Sequence, residues 1–212
     1  MFKQLFSLFV LTIMVISCSA QKLDDAFLKY IEKNKDFALR EMERAGIPAS
    51  IKLAQGLLES NAGRSYLAKK GNNHFGIKCG SNWKGKKVYR KDDEYNSKGK
   101  LIESCFRSFR STEACYIAHS EFLRNPSKQS RYGFLFRLDP RDYKRWAKGL
   151  KKAGYATSAT YAEKLIRIIE RYNLNKYDQM LQSDLDQPVA DVLEAGIFVN
   201  NDVKYATAAA NE

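Results

Sequence analysis

The stretch Ile47-Pro48-Ala49-Ser50-Ile51-Lys52-Leu53-Ala54-Gln55-Gly56-Leu57-Leu58-Glu59-Ser60-Asn61 decides how the chain is read. A proline near the start pre-sets a helical φ and lacks only an N–H that a helix start leaves unpaired anyway. Ile51, Leu53, Ala54, Leu57 and Leu58 leave little polar face, so the spacing predicts a helix buried among other helices. Glu59 closes it. A carboxylate there meets the negative end of the helix dipole and neighbours that exclude water, and both raise its pKa. A carboxyl held protonated near neutrality is what a glycosidase needs to protonate a leaving sugar oxygen. An ordinary exposed glutamate at a helix end is the equally simple alternative.

Upstream of this helix, Phe27, Tyr30, Ile31, Ala38, Met42 and Ala45 keep helical spacing, and Gly46 is suited to cap the C-terminus. Downstream, Gly71-Asn72-Asn73 breaks the pattern. Short β-rich runs follow at 75–79, 86–89 and 101–106, with turn chemistry at Lys84-Gly85 and Ser97-Lys98-Gly99, which predicts a lobe of two or three strands. Helices return from Thr112, from Asp139-Pro140 with Tyr143, Trp146, Ala147 and Leu150 inward, and from about Ser158. In the last of these Ala162, Leu165, Ile166, Ile169 and Tyr172 mark one face. The expected class is α+β, predominantly helical with a small antiparallel β-lobe.

With 212 residues, 44% hydrophobic and 28% charged, the chain is suited to one compact domain plus ends. Its formal net charge is +12, and the basic character belongs to the body, because from Asp178 onward seven acidic residues stand against Lys204 alone. A basic body favours anionic partners: nucleic acid, acidic lipid or acidic glycan. The amino terminus narrows that choice. Lys3 precedes an apolar run over 5–16 that is too short to span a bilayer, followed by Ser17, Cys18, Ser19 and Ala20, the pattern of an export signal over 1–20. Two processing readings stand: a bacterial lipobox Val15-Ile16-Ser17-Cys18 with a signal over 1–17 and Cys18 lipidated, the favoured one, or ordinary cleavage before Gln21. Export argues against nucleic acid and places the protein in the periplasm or cell envelope, membrane-attached through Cys18, or secreted. It also places Cys79, Cys105 and Cys115 where disulfides form. Cys79 and Cys105 fall in expected strands of the lobe, and the loop they would close is worth about 3 to 4 kcal/mol in the chain-entropy account, leaving Cys115 as the free thiol.

Some chemistries find no residues. His74 and His119 are the only histidines, there is no Cys-x-x-Cys, and no spacing suits a zinc site, a phosphate loop or a Gly-x-Ser-x-Gly elbow. Cys115 and His119, four apart on one expected helix, suggest a thiol hydrolase, but a cysteine within a helix is more often core.

The run from Ile47 to Ser60, Asn72-Asn73-His74-Phe75-Gly76-Ile77-Lys78, Trp83-Lys84-Gly85, Asp93-Glu94-Tyr95, Cys105-Phe106-Arg107-Ser108-Phe109, Tyr155-Ala156-Thr157 and Tyr161-Ala162-Glu163-Lys164-Leu165 together resemble the peptidoglycan endo-β-N-acetylglucosaminidases, glycoside hydrolase family 73. The resemblance covers about 25–177, leaving 178–212 as an acidic tail. It implies a lysozyme-like fold that cuts the β-1,4 bond between N-acetylglucosamine and N-acetylmuramic acid in peptidoglycan, without metal or cofactor. Carried over residue by residue, it implies Glu59 as general acid and Glu94 as second carboxylate, with Asp92 and Asp93 adjacent alternatives. The resemblance leaves the role of that second carboxylate open, because the substrate's 2-acetamido group could attack the anomeric carbon instead. Phe75, Trp83, Tyr95, Tyr155 and Tyr161 are implied at the sugar-binding cleft, Phe75 and Trp83 serving equally well as apolar floor of the lobe. Ser158-Ala159-Thr160 departs from the Asp-Pro that commonly precedes the family tyrosine. Two rival classes remain: a catalytically weak glycan-binding module of the cell wall, and an exported nucleic-acid binder using Phe106, Arg107, Phe109 and Arg110.

Overall fold

The computed structural model describes residues 23–95 and 99–180, with the side chains of 92–95 excepted. The expected export signal, Cys18 and the acidic stretch beyond 180 lie outside the described residues.

Helix α1 (Asp25–Ala45) starts on the Asp24 side chain, which accepts from the Ala26 N–H. It stops at Gly46, whose φ of 68° lets its N–H reach the Met42 carbonyl. Helix α2 (Ala49–Ser60) is the buried helix the sequence predicts: Ile51, Leu53, Ala54 and Leu57 are fully enclosed, and Asn61 ends it in the left-handed region. Its first turn is held from the far end of the chain. Asp178 accepts the Ser50 N–H at 2.8 Å through one oxygen and the Ser50 hydroxyl through the other. Asp178, which by charge belongs with the acidic tail, is buried, so the packed body runs past the expected boundary at 177. Helix α3 (Tyr66–Gly71), capped by Ser65, has no counterpart in the sequence reading, because six residues are too few to display a period.

The lobe is a two-stranded antiparallel sheet, β1 (Lys87–Tyr95) and β2 (Leu101–Arg107), paired from Lys87 opposite Arg107 to Lys91 opposite Glu103. The run at 75–79, expected as a strand, contributes a single bridge between Lys78 and Phe106. Gly76 and Gly80 both adopt positive φ and interrupt the extended chain. Asn73 meanwhile ties down Ile77, its side chain donating to the Ile77 carbonyl and accepting from the Ile77 N–H. The Cys79–Cys105 disulfide joins that run to β2 with Cα atoms 5.5 Å apart, and Cys115 is free and buried, as expected.

Helix α4 (Thr112–Arg124) follows, capped by Ser111. Then come short turns over 126–137 that include α5 (Gln129–Tyr132). Helix α6 (Tyr143–Lys152) begins later than Asp139-Pro140 suggests. Asp139 accepts from the Arg141 N–H in a tight turn, and Asp142 is the actual cap, accepting from Arg145. Helix α7 (Tyr161–Arg171) completes the body. Trp146, Ala147, Leu150, Leu165 and Ile169 are buried as their spacing predicts, while Tyr143, Ile166 and Tyr172 stay partly exposed. Helices α1 and α7 and the 3-10 turn Leu174–Gln179 pack on α2, which is the axis of a mostly helical body carrying a small sheet.

Candidate active site

Between the sheet and the helices lies a cleft of about 1190 Å³ lined by Glu59. The apolar period that buries α2 also carries Glu59 to its last turn, where the chain leaves the core. Glu59 is therefore open to the cleft and at the same time walled by protein, and this wall raises its carboxyl pKa. Tyr161 opposes the rise by donating its hydroxyl to Glu59 Oε1 at 2.9 Å. Gln55, one turn earlier on the same helix face, donates to the Tyr161 oxygen at 3.0 Å. Gln55 to Tyr161 to Glu59 is thus a directed chain of donors ending on the carboxylate.

Tyr155 also lines the cleft, its ring stacked on Tyr161 with centroids 5.7 Å apart. Phe75, implied at the sugar-binding cleft, is only 5% exposed, with one face covered by the His119 ring at 4.1 Å, so it reaches the cleft as its wall. Trp83 lies apart from the cleft lining; its indole donates to the Lys86 carbonyl, and the Arg107 guanidinium sits over its ring. Glu94 and Tyr95 lie on β1 where the pairing is irregular. Asp92, Asp93 and Glu94 together stand opposite Ile102 alone, between the pairs Lys91–Glu103 and Tyr95–Leu101. Such bulges re-aim side chains beside active sites; these side chains lie outside what the structure describes.

The thiol-hydrolase reading fails on geometry. Cys115 is enclosed, burial pushing its thiol up to about 12. Both nitrogens of His119 are engaged elsewhere, Nδ1 with Lys52 and Nε2 with Tyr155. Among the described residues no group of three or more His, Cys, Asp or Glu side chains could hold a metal ion. The cleft is basic instead: Lys78, Arg90, Arg107, Lys128 and Arg131 line it against Glu59 and Glu121. Gln55 and Lys52 are the residues the sequence reading passed over, and their signal was their polarity within an otherwise apolar helix.

Comparison with known proteins agrees with this arrangement. Residues 35–174 match the family model described as mannosyl-glycoprotein endo-beta-N-acetylglucosaminidase. The chain is 32% identical over 181 residues to the exo-glucosaminidase LytG of Bacillus subtilis, covering 83% of this chain and 63% of that protein. It is 29% identical to the peptidoglycan hydrolase FlgJ of Vibrio cholerae, covering 72% of this chain and 46% of that one. It thus spans less than two thirds of the length of either relative. Among solved structures, the catalytic domain of the autolysin Auto from Listeria monocytogenes superposes with a TM-score of 0.65 at 30% identity, over 74% of this chain and 90% of that domain. The shared fold and the extent of the matched sequence make this chain a member of the glucosaminidase family, glycoside hydrolase family 73.

Proposed function

We propose that the protein is exported and hydrolyses the β-1,4 bond between N-acetylglucosamine and N-acetylmuramic acid within peptidoglycan strands, with Glu59 as the general acid. The observation that carries this reading is Glu59 itself, a carboxyl whose surroundings favour its protonated form, placed in the cleft and aligned by Tyr161. Protonation of the leaving oxygen by such a group is worth about 10²- to 10⁴-fold in rate. The cleft of about 1190 Å³ has room for more than one sugar ring. Its excess of cations suits the carboxylates of peptide-bearing muramic acid.

Glu94 takes the second role from the bulged strand, orienting water or stabilising the positive charge that develops at the anomeric carbon. Tyr155 and Tyr161 act at the cleft, Tyr161 through Glu59. The experiment is digestion of purified peptidoglycan followed by mass spectrometry of the products. New reducing ends on N-acetylglucosamine are expected, released from within strands; anhydro-muramic ends would overturn the reading, and release of single terminal sugars would overturn the endo mode. Glu59→Gln should lose at least about two orders of magnitude while folding and glycan binding persist. A binding module would show the affinity with no ends released by the wild type.

A further inference from the structure

Lys52 is a lysine without exposure, carried by the same helix as Glu59. Its ammonium has three N–H donors and no acceptor, and three partners meet it: the Tyr116 carbonyl at 2.6 Å, the Ser120 hydroxyl at 2.9 Å and His119 Nδ1 at 3.2 Å. Below about pH 7, where the lysine is an ammonium, it only donates and must find Nδ1 bare. Burial, followed by the nearby Lys52 charge, holds the His119 imidazole neutral, so its single proton is on Nε2. Nε2 lies 3.1 Å from the Tyr155 hydroxyl and therefore donates to it, which leaves the proton of Tyr155 directed away from His119. Phe75, stacked on the imidazole, keeps the ring in this plane, and the faces of Phe75 and Tyr116 each lie just over 5 Å from the ammonium.

We propose that Lys52 and His119 are positioning residues that fix the tautomer behind the cleft and so make the Tyr155 hydroxyl a hydrogen-bond donor to an acceptor oxygen of the bound N-acetylglucosamine. The proposal rests on the glucosaminidase reading of the cleft. Without the lysine, the imidazole could carry its proton on Nδ1, and Tyr155 would spend its own proton on the bare Nε2. Burial lowers Lys52 to about 7, against the opposing charge of Glu41; Arg44 of α1 and Cys115 and Glu121 of α4 are the other charged or titratable groups that act on it.

Nitrogen NMR of the imidazoles reads the tautomer without reference to catalysis, and the chain has only two histidines to assign. The wild type below pH 7 should show His119 bare at Nδ1 and protonated at Nε2, and a proton on Nδ1 would overturn the proposal. In turnover, Tyr155→Phe and Lys52→Met should each lower kcat on peptidoglycan about tenfold with KM little changed. The double variant should be no slower than the slower single one, since both remove the same donor. Losses that multiply would show that Lys52 acts through packing alone. Where Lys52→Met does not fold, His119→Gln, which can still donate to Tyr155, should keep most of the activity, and His119→Leu should lose about tenfold. Equal activity of the two would overturn the proposal. Full activity of Glu59→Gln would withdraw the glucosaminidase reading, and the donor role with it, while the tautomer is still read from the spectrum.

Discussion

At the scale of residues, the general-acid role proposed for Glu59 turns on what its surroundings do to its carboxyl. Protein atoms around Glu59 raise its pKa, and the Tyr161 hydroxyl, which bonds the ionised form, lowers it. Removing the hydroxyl removes only the lowering influence. Tyr161→Phe should therefore raise the Glu59 pKa, and the alkaline limb of the kcat–pH profile, where the acid ionises, should move to higher pH. The same change strands the Gln55 amide in a buried position, so a fall in melting temperature of a few degrees should accompany it. A limb that stays in place or moves to lower pH would show that another group sets it.

At the scale of elements, α2 is fixed at its first turn by the end of the chain, and its middle is too close-packed for ordinary rules. Burial raises Asp178 to about 6, with the Ser50 hydroxyl and N–H opposing the rise. A carboxyl whose folded pKa lies above its unfolded value near 3.9 binds its proton more tightly when folded. Its contribution to stability is therefore present below pH ~4 and is lost as pH rises through about 6. Melting temperatures of the wild type and Asp178→Asn across pH 4 to 7 should show the wild type losing ground to the variant over this window, whatever the offset between them. Gly56 supplies a second test. In most helices Gly→Ala stabilises by about 0.5–1 kcal/mol. Here a Cβ would stand 2.5 Å from the Tyr30 hydroxyl and 2.9 Å from that of Tyr116. Those hydroxyls bond each other, and Tyr30 also bonds His74, so neither is free to yield. Gly56→Ala should destabilise by about 1–3 kcal/mol in chemical denaturation.

At the scale of the whole molecule, the sheet is joined to the rest chiefly through residues near its base. The Cys79–Cys105 bridge closes a loop that contains β1 and most of β2, up to Cys105. Asn73 donates across to the Arg107 carbonyl, and the Phe109 N–H bonds the Gly71 carbonyl. The bridge limits how far the hairpin can open in the unfolded chain, so Cys105→Ser should lower unfolding free energy by about 3 to 4 kcal/mol. Because Glu59 lies on α2 and Glu94 on the sheet, that variant should also lose activity at temperatures where circular dichroism still reports folded helices. Full activity up to global melting would show that the bridge leaves the cleft unaffected.

The sequence by itself determined the helical body, the capping of α1 at Gly46, the buried α2 with Glu59 at its end, and the Cys79–Cys105 pair, because each depends on local periodicity, turn chemistry or cysteine placement. It also carried the family resemblance. It was misleading at 75–79, where β-rich composition lost to positive φ at Gly76 inside the run and Gly80 just after it, and at Asp139, whose side chain served a turn three residues ahead of the true cap. Other features arose only in the tertiary structure. Asp178 reaches Ser50 from 128 positions away, and Tyr161 reaches Glu59 from 102 positions away. Lys52 inside an apolar helix is tolerated only because α4 brings a carbonyl, a hydroxyl and a bare imidazole nitrogen to it. Local sequence sets backbone preference and which face is apolar; what raises or lowers a pKa and orients a hydroxyl is the partner across the fold, which no local pattern names.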